Sequence, residues 1–115
     1  MILIPTHQSQ NTNSPTILLF GGNPIRRDEV ANLILQIAEV TMYAALSEEE
    51  GLEMLTNLSE IDLVLIGGRY SEKQRLNIRN FLKNKFPESK LTEPGWDYEY
   101  TNENIKADIK SKLNL

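Results

Sequence analysis

The run Ile61-Asp62-Leu63-Val64-Leu65-Ile66-Gly67-Gly68-Arg69-Tyr70-Ser71 constrains the fold more than any other stretch of the chain. A strand with one face in water alternates apolar and polar residues, whereas a strand covered on both faces is apolar throughout. Leu63 to Ile66 is of the second kind, and it stops abruptly at two glycines. We read it as the central strand of a parallel sheet whose carboxyl end opens into a turn.

The remaining segments fit that sheet. Thr16 to Phe20 is a second short apolar run, ending at Gly21-Gly22. Asn23-Pro24 then offers a helix start, because Asn caps free amides and Pro suits the first helical position. Val30, Leu33, Ile34, Ile37 and Ala38 follow at helical spacing. Val40 to Ala45 reads as another strand. Ser47 and Glu50 have the spacing of a capping box, and the helix they open buries Met54, Leu55 and Leu58. Ser71 and Gln74 repeat the pattern before a helix carrying Ile78, Phe81, Leu82 and Phe86, which Pro87 ends. Lys90 to Glu93 reads as a polar edge strand before Pro94. Thr101 or Asn102 caps a last helix with Ile105, Ile109 and Leu113 four apart.

Strands alternating with long helices imply right-handed crossovers. The expected fold is α/β: a three-layer, doubly wound, mostly parallel sheet of about four strands in the order 2-1-3-4, with helices on both faces. At 115 residues the chain suits one domain, read as residues 16–115 behind an arm of residues 1–15. Thr6 to Ser14, rich in Ser, Thr, Asn and Gln, is expected to lie outside the core.

Composition removes several function classes. The chain has no cysteine, hence no disulfide, thiolate nucleophile or cysteine metal site. No apolar stretch approaches the roughly 20 residues of a membrane span. Met1-Ile2-Leu3-Ile4 is halted by Pro5 and lacks the basic start of a secretion signal, so a cytoplasmic address is expected. A net charge of -4 speaks against a general nucleic-acid binder. Seven of the twelve basic residues nevertheless fall between Arg69 and Lys90, and nine of the sixteen acids between Asp28 and Asp62. Two solvated helix faces of opposite sign are expected; ends that attract each other in a dimer are the alternative.

The run from Ile17 to Pro24, the strand and helix from Val40 to Leu55, and Asp62 to Gly67 together resemble a response-regulator receiver domain of the CheY-like, flavodoxin-like kind. The resemblance covers about Thr16 to Gly68. In that family an acidic pair follows the first strand and a phosphoacceptor aspartate ends the third. Here the matching positions are Gly21, Gly22 and Gly67. Aspartyl phosphorylation needs a carboxylate nucleophile and further carboxylates around a magnesium ion, so the resemblance implies a degenerate pseudo-receiver that is not phosphorylated. Receivers also carry a fifth strand ending in a lysine, and this chain is too short for it by about one βα unit. Gly95 to Tyr100 has room for no more than a vestige of that strand and contains no lysine. Thr92 aligns with the family's hydroxyl residue.

Parallel sheets bind ligands beyond the carboxyl ends of their strands, where strand order reverses. That rule gathers Gly21, Gly22 and Asn23 with Gly67, Gly68, Arg69, Tyr70 and Ser71 around one crevice, with Arg26, Arg27 and Arg69 at its rim. Glycine turns and arginines favour an anion, although the glycines also serve simply as tight turns. Trp96, Tyr98 and Tyr100 alternate with Asp97 and Glu99; they grip a partner or cover the sheet edge of their own chain. Arg75, Arg79 and Lys83 form a basic row expected on a solvated helix face. His7 is the sole histidine and lies in the arm, which rules out a histidine triad. No metal, cofactor or catalytic constellation is legible, and an enzyme is not expected.

Two readings follow. The first is a non-catalytic receiver-like module for protein interaction or homo-oligomerisation, with the arm and the aromatic loop covering or exchanging across the edge near Lys90 to Glu93. The second is a small-anion or nucleotide-binding domain using the turns after the first and third strands.

Overall fold

The computed structural model describes residues 5–115; the short apolar run at residues 1–4 lies outside them. Strands and helices alternate as β1 Thr16–Phe20, α1 Pro24–Ile37, β2 Thr41–Ala45, α2 Glu48–Asn57, β3 Leu63–Ile66, α3 Glu72–Lys85, β4 Lys90–Thr92 and α4 Asn102–Leu113. The sheet is parallel, in the order β2-β1-β3-β4, which is the doubly wound order expected from the sequence.

Side chains alternate across a strand, so β1 feeds two cores. Ile17 and Leu19 pack with Val30, Leu33 and Ile34 of α1, with Leu63 and Leu65, and with Ile105 and Ile109 of α4. Leu18 and Phe20 pack on the opposite face with Leu55 of α2, Val64, Ile66, and Ile78 and Leu82 of α3. β1 and β3 are therefore covered on both sides, which is why neither shows a polar alternation.

Helix starts are built as the residues suggest. Asn23 Oδ1 accepts from the amides of Ile25 and Arg26. Ser71 and Gln74 close a full capping box over α3. At α2 only half of the box forms: Ser47 Oγ accepts from the Glu50 amide, while the Glu50 carboxylate takes the amide of Leu46 instead of Ser47. Lys85, from α3, donates to the carbonyls of Leu55 and Thr56 and so caps the end of α2.

Two expectations are corrected and a third stands. Arg75 does not sit on a solvated face; it is wholly buried, because it lies on the same helical stripe as Ile78 and Leu82 and finds a buried carboxylate there. Lys90–Thr92 is the edge strand the sequence suggested, although Thr92 and the following Glu93 are buried. The arm covers the other edge of the sheet: His7 and Met42 exchange backbone hydrogen bonds of 3.1 and 2.8 Å in a single antiparallel bridge on β2. Ser9 is buried behind it, with its amide on Thr41 Oγ1 and its hydroxyl on Glu39.

After β4 the chain turns at Gly95, whose φ of 86° lies in the left-handed region that glycine adopts freely. It folds back far enough for one parallel bridge, Pro94 with Tyr98. That bridge is all the fifth strand the described residues contain. No helix among them is long and apolar enough to cross a membrane.

Candidate functional site

The carboxyl ends of β1 and β3 open into a crevice of about 400 Å³, lined by both glycine turns, the first turn of α1 and Tyr100. Its position follows from topology. β2 and β3 flank β1, and the helices that follow β1 and β3 pack on opposite faces of the sheet, so the loops after these two strands diverge and leave a gap between them.

Gly21, Gly22, Asn23, Arg26, Gly67, Gly68 and Arg69 all line this gap. Tyr70 and Ser71 do not. Tyr70 is buried beneath it, where its hydroxyl donates to the Gly21 carbonyl at 3.0 Å and its ring meets Phe20 edge to face. Ser71 is spent on capping α3. Ile25, Arg27, Glu29 and Tyr100 also line it, above a floor of buried apolar side chains. Ile25 and Glu29 went unnoticed in the sequence; their signal was their place in the first turn of the helix that opens at the switch point.

The glycine pair after β1 has a steric role that the sequence did not show. A Cβ on Gly21 would stand 2.9 Å from Arg27 Cβ, and one on Gly22 would stand 3.2 Å from Arg69 Cβ and Cδ. Two arginine stems therefore fill the space that side chains would need at the end of β1. Gly67 is equally confined, since its Cβ would lie 3.0 Å from the Phe20 carbonyl oxygen. The crevice mouth is thereby lined with guanidinium groups.

Those groups are not equally engaged. Arg26 pairs with Glu29 at 2.9 Å, lies 5.2 Å over the Tyr100 ring, and donates to Tyr100 Oη and Asn102. The hydrogen bond to Tyr100 raises the Arg26 pKa, partly offset by burial. Arg27 meets Asp28 at 3.2 Å. Arg69 is exposed, and it has no ion pair or side-chain hydrogen bond among the described residues.

Behind the turn after β3 lies a buried polar cluster. Arg75 donates Nε to the Tyr70 carbonyl, Nη2 to the Gly67 carbonyl at 2.7 Å, and Nη1 to Glu93 at 2.9 Å. The second oxygen of Glu93 accepts from Arg79 Nη2 at 2.6 Å. Trp96 stacks on the Arg75 guanidinium at 4.3 Å. One side chain thus fixes both ends of the loop that forms a wall of the crevice. Each hydrogen bond here has a charged member, which makes it stronger than a neutral one.

The aromatic loop divides three ways. Trp96 lies over Arg75 and stays half exposed, Tyr100 joins the crevice, and Tyr98 packs against the α1 and α4 core with its hydroxyl on Thr92 Oγ1. Burial pushes the Tyr70 and Tyr98 pKa values up to about 12. Both phenols therefore keep their protons at neutral pH, and Tyr70 remains the donor to Gly21. Among the described residues no three His, Cys, Asp or Glu side chains stand close enough to share a metal ion.

The strand order and alternating helices define a doubly wound α/β fold of the kind seen in receiver domains. No protein-family model matches the sequence, and no curated protein matches it. Among solved structures the chain is similar to a response regulator from Thermotoga maritima, with a TM-score of 0.69 and 17% identity over 89% of this chain and 99% of that one. At that identity the likeness establishes the fold alone.

Proposed function

We propose that this chain is a receiver-fold binding module that acts through contacts instead of aspartyl phosphotransfer, with the crevice after β1 and β3 taking an anionic group. One observation carries the reading. Of the five arginines, four are in ion pairs with carboxylates, and the one without an ion pair among the described residues, Arg69, stands at the crevice mouth. The positions that would hold carboxylates for a cation and a phosphoryl group are Gly21, Gly22 and Gly67. Arginine stems occupy the space beside the first two, so the local charge favours an anion over a cation.

The test is thermal denaturation against phosphate, pyrophosphate and organic anions. A ligand at about a hundred times its Kd should raise Tm by roughly 10 °C. Arg69→Ala should abolish the rise while leaving the unliganded Tm within about 2 °C, because an exposed, unpaired side chain contributes little to stability. No shift with millimolar anions would sink the reading.

A second surface supports the contact role. Trp96 is 48% exposed, yet its ring is held against a buried guanidinium. A rigid, half-exposed tryptophan is a favoured interface anchor. For a second copy of the chain as partner, light scattering should give a mass rising with concentration, and Trp96→Ser should return it to one chain. A single-chain mass at every concentration would remove self-association.

A further inference from the structure

We infer that the crevice takes a mononucleotide, its phosphate at the Arg69 end and its base against Ile25 and Tyr100. The inference rests on the anion reading above and names the ligand.

The charged end is prepared for a phosphate. Among the described residues Arg69 has no ion pair there, and Arg27 shares its charge only with Asp28, which is itself solvent-exposed. The amides of Gly21 and Gly67 are consumed by the Ala45 and Phe20 carbonyls. Those of Gly22, Asn23, Gly68 and Arg69 bond to no other described residue, which leaves backbone donors on both turns beside the guanidinium. Concave sets of backbone amides beside a cationic side chain are an arrangement that suits a phosphate.

The rest of the crevice is wrong for a bare anion. Leu19, Val30 and Leu65 form its buried floor, and the apolar surface open to water is that of Tyr100 and of Ile25, which at 73% is more exposed than any other large hydrophobic residue described. An inorganic anion leaves that surface in water; a flat ring system covers it and gains the hydrophobic contribution. A sugar phosphate is equally poorly served, because it has no flat ring system to cover that surface. The volume of about 400 Å³ is that of a site for one small ligand, and the place is where open parallel sheets bind nucleotides. A ligand with one phosphate and one ring system meets all of these conditions.

Isothermal titration with AMP, FMN, ribose 5-phosphate and inorganic phosphate tests it. At least one nucleotide should bind about tenfold or more tightly than ribose 5-phosphate or phosphate. Ile25→Ser should bring that ratio to within about threefold while sparing ribose 5-phosphate binding; Ile25 is exposed, so the fold is not at stake. Arg69→Ala should weaken every phosphate ligand. Equal binding of phosphate, ribose 5-phosphate and nucleotides would overturn the inference and leave the anion reading standing. A ratio unchanged by Ile25→Ser would also overturn it, because the base would then rest elsewhere. Binding of none of the four at millimolar concentration would remove the anion reading, and the inference with it.

Discussion

Glu93→Ala should destabilise the protein by about 3–5 kcal/mol, the range found when one member of a buried ion pair is removed. Glu93 is only 3% exposed and holds two guanidinium groups, one on each carboxylate oxygen. Without it Arg75 stays buried with only carbonyl partners for its charge, since it cannot reach water. Arg79, which is partly exposed, can turn outward. Arg79→Ala should therefore cost only about 1 kcal/mol, as expected for a partly solvated pair. The double variant Arg75→Leu, Glu93→Leu should recover much of the loss, because apolar replacement of a whole buried pair is often close to neutral. Urea unfolding of the four proteins measures all of this. A cost below about 1 kcal/mol for Glu93→Ala would mean that water enters and solvates Arg75. The same variant should also weaken anion binding, since Arg75 anchors the carbonyls of Gly67 and Tyr70 on the crevice wall.

Gly51→Ala should be destabilising although it places a better helix former inside α2. Propensity alone predicts a gain of about 1 kcal/mol. The added methyl, however, would stand 2.0 Å from Phe20 Cε1 and 2.5 Å from its Cζ. Phe20 cannot simply step aside, because its ring is buried in β1 and packed edge to face on Tyr70, centroids 5.8 Å apart. Tyr70 in turn is fixed by its hydrogen bond to Gly21. Overpacking of this kind costs about 1–3 kcal/mol and sometimes more, so a net loss of about 2 kcal/mol is expected. Phe20→Leu in the Gly51→Ala background should relieve part of it, whereas Phe20→Leu alone should destabilise. A stabilised Gly51→Ala protein would show that α2 slides outward freely and that its packing on β1 is loose.

Much of the fold was legible because it depends on local patterns. The unbroken apolar run of β3 announced cover on both faces, and Ser71 with Gln74 marked the start of α3 within a residue. Site position was legible for the same reason, since topology alone places a crevice beyond β1 and β3. Harder to read were contacts between residues distant in sequence. Arg75 beside Arg79 and Lys83 looked like a solvated row, yet its spacing from Ile78 and Leu82, three and seven residues on, put it on the buried stripe. Its partner Glu93 lies beyond β4, and no periodicity joins the two. Arg27 and Arg69 were visible as charges near the rim, but nothing in the sequence showed that their stems occupy the space beside Gly21 and Gly22. Thr6 to Ser14 of the arm carry no apolar pattern at all; His7 finds Met42 through backbone groups, to which side-chain patterns are blind.

A sheet edge is a template on which further chains polymerise, and long flat ones lead to fibrils. In this chain the backbone bridge from His7 to Met42 occupies the β2 edge from within. The opposite edge is a strand of three residues that begins with a lysine and runs into a turn. Such short, charged or covered edges are among the devices by which sheet proteins suppress strand-to-strand aggregation. Neither edge therefore offers a long free ladder of backbone groups, and a contact between crowded copies of the molecule falls to side chains instead of strand addition.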